Sequence, residues 1–158
     1  MLFRSPDQAL ARLLDCCASL KWATRIVSSR PYPSLDGLFA RADVTLENLS
    51  EAEVDKALAG HPRIGERSAH ASSRREQAGV AGADADTLAA LAEGNRVYER
   101  RFGHVYLVCA DGRSAEELLD VLRARLGNDP ETERRVLRVE LAKINRLRLG
   151  RLCGVDRS

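Results

Sequence analysis

The sequence predicts an all-α fold, a single helical bundle-like domain of about seven to nine helices. Three observations predict it. Apolar residues recur at three- and four-residue spacing in most segments. Ser-x-x-Glu boxes stand at 50–53, 73–76 and 114–117, the sequence form of a helix start. Only one short stretch, VYLVCA at 105–110, has a β-like composition.

The elements follow in order. Ser5-Pro6 reads as N-cap and first helical residue, with Leu10, Leu13, Leu14 and Cys17 on one face. An apolar piece around Trp22, Ile26 and Val27 runs into Arg30-Pro31-Tyr32-Pro33, which is no helix interior. Ser34 caps a segment carrying Leu35, Leu38 and Phe39. The box at Ser50 precedes Val54, Ala57 and Leu58, and Gly60 is a suitable residue just past the helix end. From Ile64 to Ser73 the pattern is loop-like. The box at Ser73 opens a short helix ending near Gly79, and Gly82 to Asp84 is a break. A longer helix carries Leu88, Leu91, Asn95 and Tyr98 and stops at Gly103. VYLVCA has no evident pairing partner and reads as buried extended chain or a helix start. Ser114 opens a helix with Leu118, Leu119, Leu122 and Leu126, closed by Gly127. Asp129-Pro130 begins the last, with Val136, Val139, Ile144 and Leu147 inside and Gly150 after it, roughly 30 Å of helix. The last residues, from about 151, are expected to be disordered.

The 158 residues are 44 % hydrophobic and 30 % charged, with net charge +2. That is ordinary for a globular domain with one core and is not a nucleic-acid binder's balance. Four cysteines without metal-ligand spacing read as reduced thiols of a cytoplasmic protein. No apolar run approaches a membrane span. From Arg134 onward eight Lys and Arg face only Glu140 and Asp156, a net +6. This stripe reads either as a phosphate-binding face or as a solvated helix end; it lacks interleaved aromatics. No phosphate loop, nucleophile elbow or metalloprotease motif occurs, and histidines 61, 70 and 104 lack helical metal spacing.

His61 is the residue to explain. Gly60 precedes it and Pro62 follows, so its backbone is constrained on both sides. An imidazole held so suits proton transfer near neutral pH; a hydrogen-bonded loop histidine is the bland alternative. Ser73 and Glu76 read as a capping box, or as side chains that hold an anionic substrate and orient His61. Arg148, set among Ile144, Leu147 and Leu149, either snorkels or holds an anion. Arg113, before a helix start, reads as a surface residue.

Five stretches in order resemble the OHCU decarboxylase family, which acts on 2-oxo-4-hydroxy-4-carboxy-5-ureidoimidazoline in urate breakdown. They are RPYPSLDGLFARAD (30–43), GHPRIGER (60–67), SRREQAGV (73–80), YERRFGHVYLVCADGRSAEELL (98–119) and the closing segment from Asn128 to Leu149. The resemblance implies an all-α homodimer without cofactor or metal, a carboxy-lyase that yields (S)-allantoin. It implies His61 as the catalytic residue, with Pro62 fixing it and Glu76 assisting. Ser73 and Glu76 would bind the ureido and ring groups, and Arg148 the carboxylate or a carbonyl oxygen. Gly103, His104 and Val105 would complete the pocket. His104-Val105-Tyr106 departs from the family's more apolar step, so an inward His104 would alter pocket charge. Two alternatives come from other classes: a catalytically silent binding module using the basic last helix, and a lyase or hydrolase on a related ureido substrate.

Overall fold

Short polar caps set where the helices begin. The computed structural model describes residues 5–66 and 71–154. Among these are eight helices: α1 (Pro6–Cys16), α2 (Leu20–Ser28), α3 (Leu35–Glu47), α4 (Glu51–Leu58), α5 (Ala71–Glu76), α6 (Ala85–Phe102), α7 (Ala115–Arg125) and α8 (Pro130–Leu152). Ser5, Ser19, Ser34, Ser50, Asp84 and Ser114 each accept the backbone N–H three residues on. Asp129 does the same for Thr132 ahead of α8. Each such cap is worth about 1 kcal/mol. His70 and the residues from 155 on lie outside the described residues; of the tail expected to be disordered from about 151, Arg151 and Leu152 are instead the last residues of α8, and Cys153 and Gly154 form a turn after it.

The helices group into two compact units, residues 1–60 with 142–158, and residues 61–141. In the first, α1 packs on α2 and α2 on α3 around Leu13, Trp22, Ile26 and Leu46. Trp22 Nε1 donates to the Ala42 carbonyl at 3.2 Å, and Tyr32 Oη to the Ile26 carbonyl at 2.7 Å. The chain turns between α2 and α3 through a cis Arg30-Pro31 bond.

In the second unit, α6 packs on α7 over Leu91, Tyr98, Leu118 and Leu122, and Ile64 joins that core. VYLVCA is extended chain with no strand partner among the described residues, and Tyr106, Leu107, Val108 and Ala110 are buried. Side chains from the helices hold it: Tyr106 Oη donates to the Leu118 carbonyl at 2.9 Å and Arg125 to the Leu107 carbonyl at 2.6 Å. Gly103 closes α6 in the left-handed conformation, φ 77°.

Several expectations need correction. Gly60 follows the α4 cap but has no positive φ; the left-handed glycine of that loop is Gly65, φ 94°. Ser73 and Glu76 are not a capping box, because α5 already begins at Ala71. The inward face of α8 is Glu133, Leu137, Glu140, Leu141, Ile144, Asn145, Arg148 and Leu149, while Val139 is exposed and Val136 and Leu147 only partly buried. Four polar residues on that face hid its period. Gly150 lies buried inside α8, not after it. Arg148 does not snorkel; it is buried. The basic stripe is therefore interrupted by a buried arginine, and Arg146 lies over the Phe39 ring and pairs with Asp43. Among the described residues no helix is long and apolar enough to cross a membrane.

Candidate active site

The loop after α4 carries His61 and Pro62, both half-buried. Proline fixes its own φ and biases His61 toward extended backbone. The next residues are tied down one by one. Arg63 Nε and Nη2 donate to the two Glu99 carboxylate oxygens at 2.7 and 3.2 Å, and Nη1 to Glu66 at 3.0 Å. Those carboxylates raise the Arg63 pKa above its ordinary value, so its charge is permanent. Ile64 is buried and its carbonyl accepts from Asn95 Nδ2 at 3.0 Å. The Gly65 N–H donates to Gln77 Oε1 at 2.9 Å, and Gln77 Nε2 reaches the Arg63 carbonyl at 3.4 Å. His61 thus stands at the head of a braced loop.

Ser73 and Glu76 lie one helical turn apart in α5 and are both buried, 3 % and 6 % exposed. Buried polar side chains on so short a helix serve something other than its start. Glu76 lies close enough to Cys109 to act on its thiol, as do Glu140 and Asp111. Burial pushes that thiol up first, against a hydrogen bond with the Asp111 backbone, and the Glu140, Glu76 and Asp111 carboxylates add to the rise. The Cys109 N–H donates to Glu140 Oε1 at 3.3 Å. Glu140 therefore meets the far end of the extended segment, and the buried Glu76 carboxylate acts electrostatically on the same thiol.

Gly103, His104 and Val105 form the near end. His104 is half-buried among aromatics, its ring edge-on to Tyr98 at 5.6 Å and stacked on Phe102 at 6.2 Å. Its Nδ1 lies 3.1 Å from the Val105 carbonyl. These contacts occupy the imidazole within the aromatic cluster of α6. A hollow of about 530 Å³ opens beside α5, lined by Gly65, Ser73, Arg74, Gln77, Val80 and Leu88 among others. Of the expected site residues only Ser73 lines it, so it adjoins the group without containing it. Among the described residues no cluster of three or more His, Cys, Asp or Glu could hold a metal ion.

Arg148 belongs to the other unit. It is 6 % exposed, and Nη1 donates to the carbonyl of Cys16, the last residue of α1, at 3.1 Å. A planar guanidinium presents five N–H donors in a fixed fork that suits carboxylate and carbonyl oxygens.

Sequence reasoning passed over Gln77, Asn95, Cys109 and Glu140. The signals were present. Gln77 adjoins Glu76 in SRREQAGV, Asn95 interrupts the apolar row of Leu91 and Tyr98, and Glu140 sits between Leu137 and Leu141 on the buried face of α8.

Residues 4–150 match the family model described as OHCU decarboxylase. The chain is 31 % identical over 134 residues to the 2-oxo-4-hydroxy-4-carboxy-5-ureidoimidazoline decarboxylase of Amia calva, covering 80 % of this chain and 77 % of that protein. It is 29 % identical over 145 residues to a uric acid degradation bifunctional protein of Arabidopsis thaliana, covering 87 % of this chain but spanning only 45 % of that longer protein. A crystal structure of OHCU decarboxylase in the presence of (S)-allantoin superposes with a TM-score of 0.78 at 27 % identity, over 89 % of this chain and 96 % of that one. With a braced His-Pro loop, a buried Ser-x-x-Glu and a family match across nearly its whole length, the chain belongs to the OHCU decarboxylase family.

Proposed function

We propose that this protein decarboxylates 2-oxo-4-hydroxy-4-carboxy-5-ureidoimidazoline to (S)-allantoin, without a cofactor, in urate degradation. The observation that carries the reading is the burial of Ser73 and Glu76 within α5, where a capping box would have left them at its start. Membership of the family, and a fold shared with an OHCU decarboxylase seen with (S)-allantoin, support it.

The chemistry asks little of the protein. The bond between the ring carbon and its carboxylate breaks and carbon dioxide leaves. The electron pair moves into the substrate's own conjugated C=N and leaves a ring C=C; the hydroxyl then gives up its proton to become the ring carbonyl, and a proton adds to the neighbouring carbon that bears the ureido group. His61 takes the proton of the substrate hydroxyl or delivers one to that neighbouring carbon, help worth on the order of 10²–10⁴-fold. Ser73 and Glu76 hold the ureido and ring N–H groups, and Pro62 keeps His61 in place. Backbone groups of the extended segment that starts at Gly103, His104 and Val105 complete the binding surface. Arg148 contributes a charged hydrogen bond to the substrate's carboxylate or a carbonyl oxygen. Delivery of the proton to a single face gives a single enantiomer. We further read the chain as one functional domain acting as a cytoplasmic homodimer; sedimentation equilibrium tests the stoichiometry.

The test generates the substrate in situ from urate with urate oxidase and hydroxyisourate hydrolase, and follows (S)-allantoin by circular dichroism. Rapid appearance of one enantiomer with wild type, and slow racemic decay with folded His61→Asn, is the expected result. Decay unchanged by the wild-type protein would overturn the reading. A His61→Asn variant as fast as wild type would remove His61 from the mechanism.

A further inference from the structure

Asn95 stands where the core calls for an apolar side chain. It lies mid-way along α6, between Leu91 and Tyr98 on the buried face, and is 2 % exposed. Asparagine is a poor helix former, and burying its amide costs free energy unless both polar ends are satisfied. Only one is satisfied here: Nδ2 donates to the Ile64 carbonyl at 3.0 Å, while Oδ1 is buried with no hydrogen-bond partner among the described residues. The one bond it makes lands three residues after His61.

We infer that Asn95 is a positioning residue for His61, acting through the backbone of the 61–66 loop. Its catalytic part rests on the decarboxylase reading above. The argument is one of degrees of freedom. Pro62 has a fixed φ. Ile64 is pinned by its side chain in the core and by its carbonyl on Asn95. Between these two points only Arg63 intervenes, and its guanidinium is clamped by Glu99, one turn beyond Asn95 on α6. Two side chains of one helix thus fix the span that carries the histidine. Of the two, Asn95 is the buried one, so water does not compete for its bond. An imidazole displaced by about 1 Å loses on the order of 10²-fold in rate, which gives a reason to keep a half-satisfied amide in the core.

The test uses the full chain with Asn95→Leu, which keeps the volume but cannot donate, and Asn95→Asp, which donates to the Ile64 carbonyl only when protonated. The expected result for Asn95→Leu is a fall in kcat of at least tenfold, with KM within about threefold of wild type and helical content retained. For Asn95→Asp the ratio of its kcat to that of wild type rises as pH falls, a signature a purely structural loss does not produce. Amide hydrogen exchange at residues 63–66 needs no substrate, and we expect it to be at least tenfold faster in either variant at neutral pH. Loop protection equal to wild type in both variants overturns the inference. So does a wild-type kcat in Asn95→Leu, or a flat pH ratio in Asn95→Asp. If the wild type itself fails to decarboxylate, the functional reading falls and takes the catalytic half of the inference with it. The exchange result then decides the bracing by itself.

Discussion

Arg125 and Glu133 form an ion pair wholly out of water: Nε lies 2.6 Å from Oε1, with the two residues 5 % and 0 % exposed. The pair anchors more than itself. Tyr98 Oη donates to the same Oε1 at 2.5 Å, Asn128 Nδ2 to Oε2 at 3.0 Å, and Arg125 Nη1 to the Leu107 carbonyl. One network therefore joins α6, α7 and α8 to the extended segment that runs toward Cys109. Removing one partner leaves an uncompensated buried charge, which costs about 3–5 kcal/mol. Arg125→Met and Glu133→Gln should each lose stability on that scale in urea melts. The double variant should lose less than the sum of the two. Strict additivity would mean that the pair does not act as a unit.

Gly79 predicts a different kind of damage. A Cβ there would lie 2.2 Å from the Arg113 carbonyl oxygen, a backbone atom that cannot rotate away. Gly79→Ala must push apart the end of the α5 region and the Asp111–Ser114 turn. Overpacking of this sort costs about 1–3 kcal/mol. The turn directly follows the extended segment 105–110, whose backbone is proposed to line the binding surface, so the decarboxylase rate should fall even where the variant remains folded. A Gly79→Ala protein with wild-type melting and wild-type rate would show that this close approach is not needed.

Much of the fold was legible because serine caps and apolar spacing agreed. Ser5, Ser34, Ser50 and Ser114 were readable as helix starts, and Gly103 as a stop. Legibility failed where the buried face is polar. On α8, Glu133, Glu140, Asn145 and Arg148 share the inward face with leucines, so the apolar pattern pointed to Val139, which is exposed. At α5 a sequence that fits a capping box lies inside the helix, because the helix begins two residues earlier than the serine. His61 was visible by its neighbours in the chain. What holds it was not, since Gln77 and Asn95 are 12 and 31 residues from the backbone groups they bind.

The thiols of the first unit give a pH dependence. Cys16 is pushed up to about 12, by burial first, with the Arg148 charge opposing. A thiol whose folded pKa lies above its unfolded value of about 8.5 keeps its proton longer in the native state. Its contribution to stability is intact below that value and is lost as pH rises from there through 12. Urea stability should therefore fall between pH 9 and 11, by at most about 1.4 kcal/mol per pH unit from this group. Cys16→Ala should show a shallower fall than wild type over that window. Identical slopes would mean that Cys16 does not titrate with unfolding. Native Cys16 should also resist iodoacetamide at pH 8 and react once the chain is unfolded.

Arg148 has two candidate duties, and one substitution separates them. Its bond to the Cys16 carbonyl satisfies a backbone group at the end of α1. If that were its whole purpose, Arg148→Lys would cost stability and leave the rate of the folded fraction unchanged. The family resemblance adds a bond to the substrate. A hydrogen bond to a charged group contributes about 1.5–3 kcal/mol, and at 1.36 kcal/mol per factor of ten its loss lowers kcat/KM by roughly 10- to 150-fold. Lysine keeps the charge but not the planar fork, so the loss should persist in Arg148→Lys although its net charge matches wild type. The measurement is kcat/KM on protein shown to be folded by its melting curve. A folded Arg148→Lys with wild-type kcat/KM would leave Arg148 with its structural duty only.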